Sequence, residues 1–185
     1  GDLLTTESVL LNPNRNERIS RREAETVLCE ALGVRQVLWL PSGLFCDDTD
    51  GHIDTLTRFF NEDSVLTCHT TKKSSVNYEI LETNLSILRK SRLSDGRRLN
   101  VEKLPLPDPI PPPHGWREET LPGSYANFLI LNGAVLVPAY AQPEKDAEAA
   151  RIIADVFPDR KIVSLDCSDI ILEGGALHCL SQNLS

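Results

Sequence analysis

The sequence lacks a methionine, an excess of basic residues, a long apolar run and any C-x-x-C pair. With no methionine, not even an initiating one, the chain reads as a processed product or a piece of a longer one. A net charge of −8 argues against nucleic acid, whose phosphates demand a basic face, and against an anionic membrane surface. It suits a small cationic ligand better. No apolar run approaches the roughly 18 residues that span a membrane. The opening GDLLTTESVL has neither a basic leader nor a signal-peptide core. The cysteines, at 29, 46, 68, 167 and 179, are odd in number and fit neither a disulfide framework nor a zinc site. A reducing cytoplasm is the natural compartment. There, one thiol is available for chemistry and the others serve as small buried hydrophobes.

What is present is an ordinary folded composition, 41% apolar and 25% charged over 185 residues. That suffices for one substantial domain, 1–185, and is marginal for two. SRREAETVLCEALG predicts a helix with a capping box at Ser20 and Glu23 and a stop at Gly33. Ala24, Val27, Leu28, Ala31 and Leu32 fall on one of its faces. VRQVLWLPSG predicts a buried strand, and SVLTCH (64–69) is another short β-rich run. A second helix is expected from about Ser75 to Arg92, with Val76, Ile80, Leu81, Leu85 and Leu88 along its stripe. RRLNVEKLPLP (97–107) predicts a strand running into a Pro-rich loop, 105–123, which can be neither helix nor central strand. ANFLILNGAVLVP predicts a hairpin turning at Asn132-Gly133. PEKDAEAARIIADVFP predicts a helix opened by Pro143, KIVSLD a strand, and GALHCLS a last strand. The class is α/β, with strand–helix–strand units that echo one another.

The stretch DDTDGHID sets Asp47, Asp48, Asp50 and Asp54 around Gly51 and His52. As an EF-hand it fails: with Gly51 at the sixth position, Cys46 falls at the first and Thr57 at the twelfth. His52 and Asp54 form an H-x-D pair, but His69, His114 and His178 complete no metal cluster around it. On composition alone an acidic turn is the favoured reading. A histidine among carboxylates is, however, held toward its protonated form and becomes a good proton donor. At the other end, LEGGALHCLSQ places a glycine pair before His178 and Cys179. Paired glycines let backbone approach a ligand. A thiol there is either a nucleophile or a core cysteine.

In this order, DDTDGHIDTLTRF, LPGSYANFLILNG and GGALHCLSQ resemble the agmatine deiminase family, which includes the bacterial peptidyl-arginine deiminase-like enzymes. TTESVLLNPNRN, GVRQVLWLPSGL and DAEAARIIADVFPDRKIVSLD match the same pattern. The resemblance covers the chain and corresponds to the C-terminal half of that family. It implies part of a pentein-type α/β propeller built of repeated ββαβ modules, about half of the five-module fold. It implies hydrolysis of a guanidinium to a ureido group and ammonia, without metal or cofactor. By the resemblance Cys179 is the nucleophile and His52 the acid/base. Asp54 grips the guanidinium, and Gly174 and Gly175 lie against the substrate.

The family places two further catalytic acids and a substrate-contacting Trp in its other half, and neither Trp39 nor Trp116 matches that Trp's motif. An incomplete propeller leaves open sheet edges. A homo-oligomer, or association with an N-terminal half, is therefore expected. The leading expectation is an agmatine deiminase. Peptidyl- or free-arginine deimination is the alternative within the class. A non-catalytic half-propeller that serves assembly or ligand binding is the alternative outside it. Asp47, Asp48 and Asp50 are expected to supply turn geometry and a negative field for the cationic substrate.

Overall fold

The computed structural model describes residues 1–45, 47, 49–116 and 119–182. Three small sheets follow one another along the chain, each carrying one long helix. In the first, β1 (Asp2–Thr6) and β2 (Gln36–Leu40) pair in parallel, Leu4 opposite Leu38. A short helix, α1 (Glu7–Leu10), and a long one, α2 (Arg21–Leu32), connect them. In the second, β4 (Ser64–His69) lies between antiparallel β3 (Thr57–Phe59) and parallel β5 (Asn100–Pro105). In the third, β7 (Ala134–Ala139) lies in the same way between β6 (Leu129–Leu131) and β8 (Lys161–Asp166).

The repetition has a physical basis. A tight turn joins antiparallel neighbours, whereas parallel neighbours need a crossover. Asn132-Gly133 makes the β6–β7 turn, with Gly133 at φ 80° as a two-residue hairpin loop requires. Helices α3 (Tyr78–Lys90) and α4 (Pro143–Val156) make the two crossovers. Leu81, Leu85 and Leu88 of α3, and Ala149 and Ile153 of α4, are buried at helical spacing. Pro143 opens α4, where a missing N–H costs nothing.

The main core runs through the second and third sheets and reaches Leu4, Leu38 and Leu40 of the first. Its aromatic centre is Phe157, whose ring meets Phe128 edge-on at 5.9 Å and Phe60 at 6.3 Å. A smaller cluster of Ala24, Val37 and Trp39 holds α2 down. The Trp39 indole donates to Glu25 at 2.8 Å, and the Arg21 guanidinium lies over its ring.

Three expectations need correction. Helix α2 has its capping box and its left-handed Gly33 stop, but its apolar face is split. Ala24 packs inward, while Val27, Ala31 and Leu32 are exposed, because a two-stranded sheet covers only part of a helix face. Helix α3 begins at Tyr78 rather than Ser75, so Val76 lies outside it and is exposed. The segment GALHCLS is no strand. A 3-10 turn over Ile170–Glu173 ends at left-handed Gly174, and Leu177–Leu180 then turn tightly. In the Pro-rich loop, an isolated bridge pairs Ile110 with Leu121, and Asp108 exchanges backbone hydrogen bonds with the Gln142 side chain. No helix among the described residues is long and apolar enough to cross a membrane.

Phe157 closes the aromatic centre, so Phe157→Ala should cost about 3–5 kcal/mol of stability. Urea unfolding should show a lower midpoint at an unchanged slope.

Candidate active site

Three segments outside the sheets converge on one place. A 3-10 turn over Ile53–Thr55 leads into β3, and a second over Tyr125–Asn127 leads into β6. The third is the tight turn carrying His178 and Cys179. Hydrogen bonds lock the first two together. The Ser124 hydroxyl donates to the Thr55 carbonyl at 2.6 Å and accepts from the Ala126 N–H at 3.1 Å. Arg58 reaches across from β3 and donates to the carbonyls of Ala126 (3.3 Å) and Phe128 (3.0 Å), its guanidinium resting on the Phe128 ring. Asn127, 1% exposed, is thereby gripped on both sides.

Asn127 holds the third segment. Its Oδ1 accepts from the backbone N–H groups of Ala176 (3.1 Å), His178 (3.1 Å) and Cys179 (3.3 Å). Its Nδ2 donates to Cys179 Sγ at 3.1 Å and to Asp54 Oδ2 at 3.2 Å. Asp54 Oδ2 also meets His178 Nδ1 at 2.7 Å and lies 3.5 Å from Cys179 Sγ. Gly175 is needed for this approach: a Cβ there would lie 2.6 Å from Cys179 Cβ and 2.8 Å from Sγ. The Cys179 residue is exposed, so a ligand can reach the sulfur.

The electrostatics oppose one another. Burial works against ionisation of Asp54, but the hydrogen bond and charge of His178, with help from Cys179 and Arg58, hold its carboxyl below the usual range. Burial, and next the Asp54 charge, push the Cys179 thiol up, while Asn127 and the Ala176 backbone pull it down. The resting sulfur therefore favours the thiol. A cation placed beside it would favour the thiolate.

The structure thus brings together Cys179, Asp54 and Gly175 of the residues expected from sequence. Gly174, at φ 81°, ends the last 3-10 turn ahead of them. His52 precedes the first 3-10 turn, and its carbonyl accepts from the Thr55 hydroxyl at 2.8 Å. Among the described residues no hydrogen bond or ion pair joins its imidazole to Cys179 or Asp54. The acidic stretch is divided in purpose. Buried Asp47 accepts from the Thr49 N–H (2.9 Å) and the Thr55 hydroxyl (2.9 Å), and Asp50, at φ 69°, pairs with Arg15 at 3.0 Å. Asp47 thus has the expected place in the turn, held by neutral donors, and Asp50 is paired with Arg15. Asp48 lies outside the described residues. Gly51 is required at φ 95°, with its backbone against Gly43. Among the described residues no group of three or more His, Cys, Asp or Glu side chains is placed to hold a metal.

Sequence reasoning missed Asn127, Arg58 and the role of His178. One signal was available for Asn127. IDT and YAN each form a 3-10 turn just ahead of a hairpin, so Asp54 and Asn127 lie in corresponding turns of successive modules.

Asp54→Asn removes the charge that raises the thiol, so the pH midpoint for Cys179 alkylation by iodoacetamide should move down and labelling at pH 7 should speed up. Mass spectrometry of the Cys179 peptide reads both.

Known proteins share this arrangement of elements. A family model described as Porphyromonas-type peptidyl-arginine deiminase matches residues 1–184. The agmatine deiminase of Ectopseudomonas mendocina is 40% identical over 98% of this chain and 53% of its own length. Among solved structures, the agmatine deiminase of Enterococcus faecalis superposes with a TM-score of 0.93 at 33% identity, over 98% of this chain and 53% of that one. The C. jejuni agmatine deiminase does so at 0.83 and 31%, over 97% and 50%. The chain spans about half the length of the curated relatives it matches. With the family model matched over residues 1–184, the chain belongs to the Porphyromonas-type peptidyl-arginine deiminase family.

Proposed function

We propose that this chain carries the nucleophile half of a guanidine-hydrolysing site, whose substrate is agmatine and whose products are N-carbamoylputrescine and ammonia. The observation that carries this reading is Cys179 Sγ at 3.5 Å from an ionised, part-buried Asp54 carboxylate. A planar guanidinium donates to that carboxylate with a charge-assisted, directional bond. Its positive charge then offsets Asp54, and the Cys179 thiolate forms beside the central carbon. The sulfur attacks that carbon, and the C–N bond to the leaving amine breaks as that nitrogen takes a proton. Water then attacks the resulting S-alkylthiouronium and becomes the ureido oxygen as both of its protons leave, one by way of a base and one to the departing sulfur, which returns as the thiol. His52 is assigned the proton transfer to the leaving amine and the role of that base by its place in the D-G-H-x-D motif. His178, at 2.7 Å from Asp54, keeps the carboxylate ionised and aimed. Gly174 and Gly175 keep the backbone beside the sulfur open to the substrate.

The repeated ββαβ order of the second and third sheets supports a pentein-type propeller, with 1–185 as one domain of about half the five modules. In that arrangement the first sheet is a further module, whose β1 is paired on one side among the described residues. Exposed Val27 and Leu32 on α2 support assembly with a second copy or with an N-terminal half.

Ammonia release from agmatine and from arginine, with Cys179→Ala as control, tests the reading. Agmatine should be the better substrate and Cys179→Ala should be inactive. Undiminished release by Cys179→Ala would remove the mechanism, and preference for arginine would change the substrate. Where turnover is measured, His52→Gln should lower kcat by roughly 10²–10⁴-fold. Gly175→Ala, which displaces the sulfur, should lower it about 10²-fold.

A further inference from the structure

Asn127 has more contacts at the nucleophile than any role given to it so far explains. A buried carboxamide needs partners for its oxygen and its nitrogen. Here the oxygen collects three backbone N–H groups from Ala176, His178 and Cys179, and the nitrogen faces Cys179 Sγ and Asp54 Oδ2. The two ends therefore do different work. One fixes the backbone of the turn and with it the direction of the Cys179 side chain. The other offers the sulfur a donor, which is worth more to a thiolate than to a thiol. Arg58 and Ser124 hold Asn127 from behind through the carbonyls and N–H on either side.

We propose that Asn127 is the positioning residue of the nucleophile: it orients Cys179 through the turn backbone and stabilises its ionised sulfur through Nδ2. This deepens the guanidine-hydrolase reading and rests on Cys179 being its nucleophile. The charged and titratable groups that act on the sulfur are Asp54 from the first 3-10 turn, in contact with it, and Arg58 of β3 and Tyr140 just after β7 through their charge, while His178 of its own turn contacts Asp54. Asp54 opposes ionisation, and Asn127 is a neutral donor that counters it without adding charge.

Iodoacetamide labelling of Cys179 against pH, in Asn127→Ala and Asn127→Ser, tests this without needing turnover. Both variants are neutral, so charge cannot account for a change. Buried Cys68 and Cys167 report folding, since they stay unlabelled in an intact protein. In a variant that keeps them protected, the Cys179 midpoint should rise and labelling at pH 7 should slow by roughly tenfold, the worth of one charge-assisted hydrogen bond. An unchanged or lower midpoint in such a variant overturns the proposal. Loss of Cys68 and Cys167 protection in both variants assigns Asn127 to folding alone and also overturns it. Absence of agmatine turnover in the wild-type chain would count against the guanidine-hydrolase reading and leave this labelling result standing.

Discussion

The grip of Arg58 on the carbonyls flanking Asn127 is the contact through which the second and third sheets share one site. It ties β3 to the turn that opens β6. Without that tie, the Asn127 carboxamide has no fixed place from which to gather the N–H groups of the Cys179 turn. The arrangement costs little strain, since each buried polar atom in the chain of contacts finds a partner. The guanidinium also lies on the Phe128 ring, which joins the polar clasp to the aromatic centre at Phe157. Site and core therefore stand or fall together.

The site is a balance rather than a charged pocket. Burial and Asp54 hold the sulfur as a thiol, while Asn127 lowers the cost of ionising it. Such a balance suits a reaction that begins only when a cation arrives, because the cation offsets the Asp54 charge, the second of the two effects that hold the sulfur as a thiol. It also guards an exposed cysteine, since a thiol is far less reactive than a thiolate. The acidic stretch serves that economy unevenly. Asp54 faces the sulfur, whereas Asp47 shapes the turn and Asp50 holds Arg15.

Much of the fold was legible from local rules. The capping box at Ser20, the Asn132-Gly133 hairpin, Pro143 at the start of α4 and the strand at 64–69 all appear where residue chemistry puts them. Each depends on neighbours a few residues away. The misreadings came where neighbours are distant. Val27 and Leu32 looked inward by periodicity but lack a covering partner, and GALHCLS looked like a strand because its residues tolerate one. The bonds to Asn127, together with those from the Leu180 and Ser181 N–H groups back to the Ala176 and His178 carbonyls, make it a turn. Within the site, Cys179, Asp54 and Gly175 were visible as motif residues, whereas Asn127 fell inside the stretch ANFLILNGAVLVP, read as a hairpin.

By itself the sequence determined the α/β elements, their order and the family motifs, because hydrophobic period, caps and turn residues act over short range. Tertiary structure alone decided which groups meet. It placed Asp54 and Cys179, 125 positions apart, at 3.5 Å, put Asn127 between them, and spent Asp47 and Asp50 elsewhere. The reason is that a side chain's charge state and direction follow from burial and from the partners that the folded chain supplies. No spacing along the sequence encodes either.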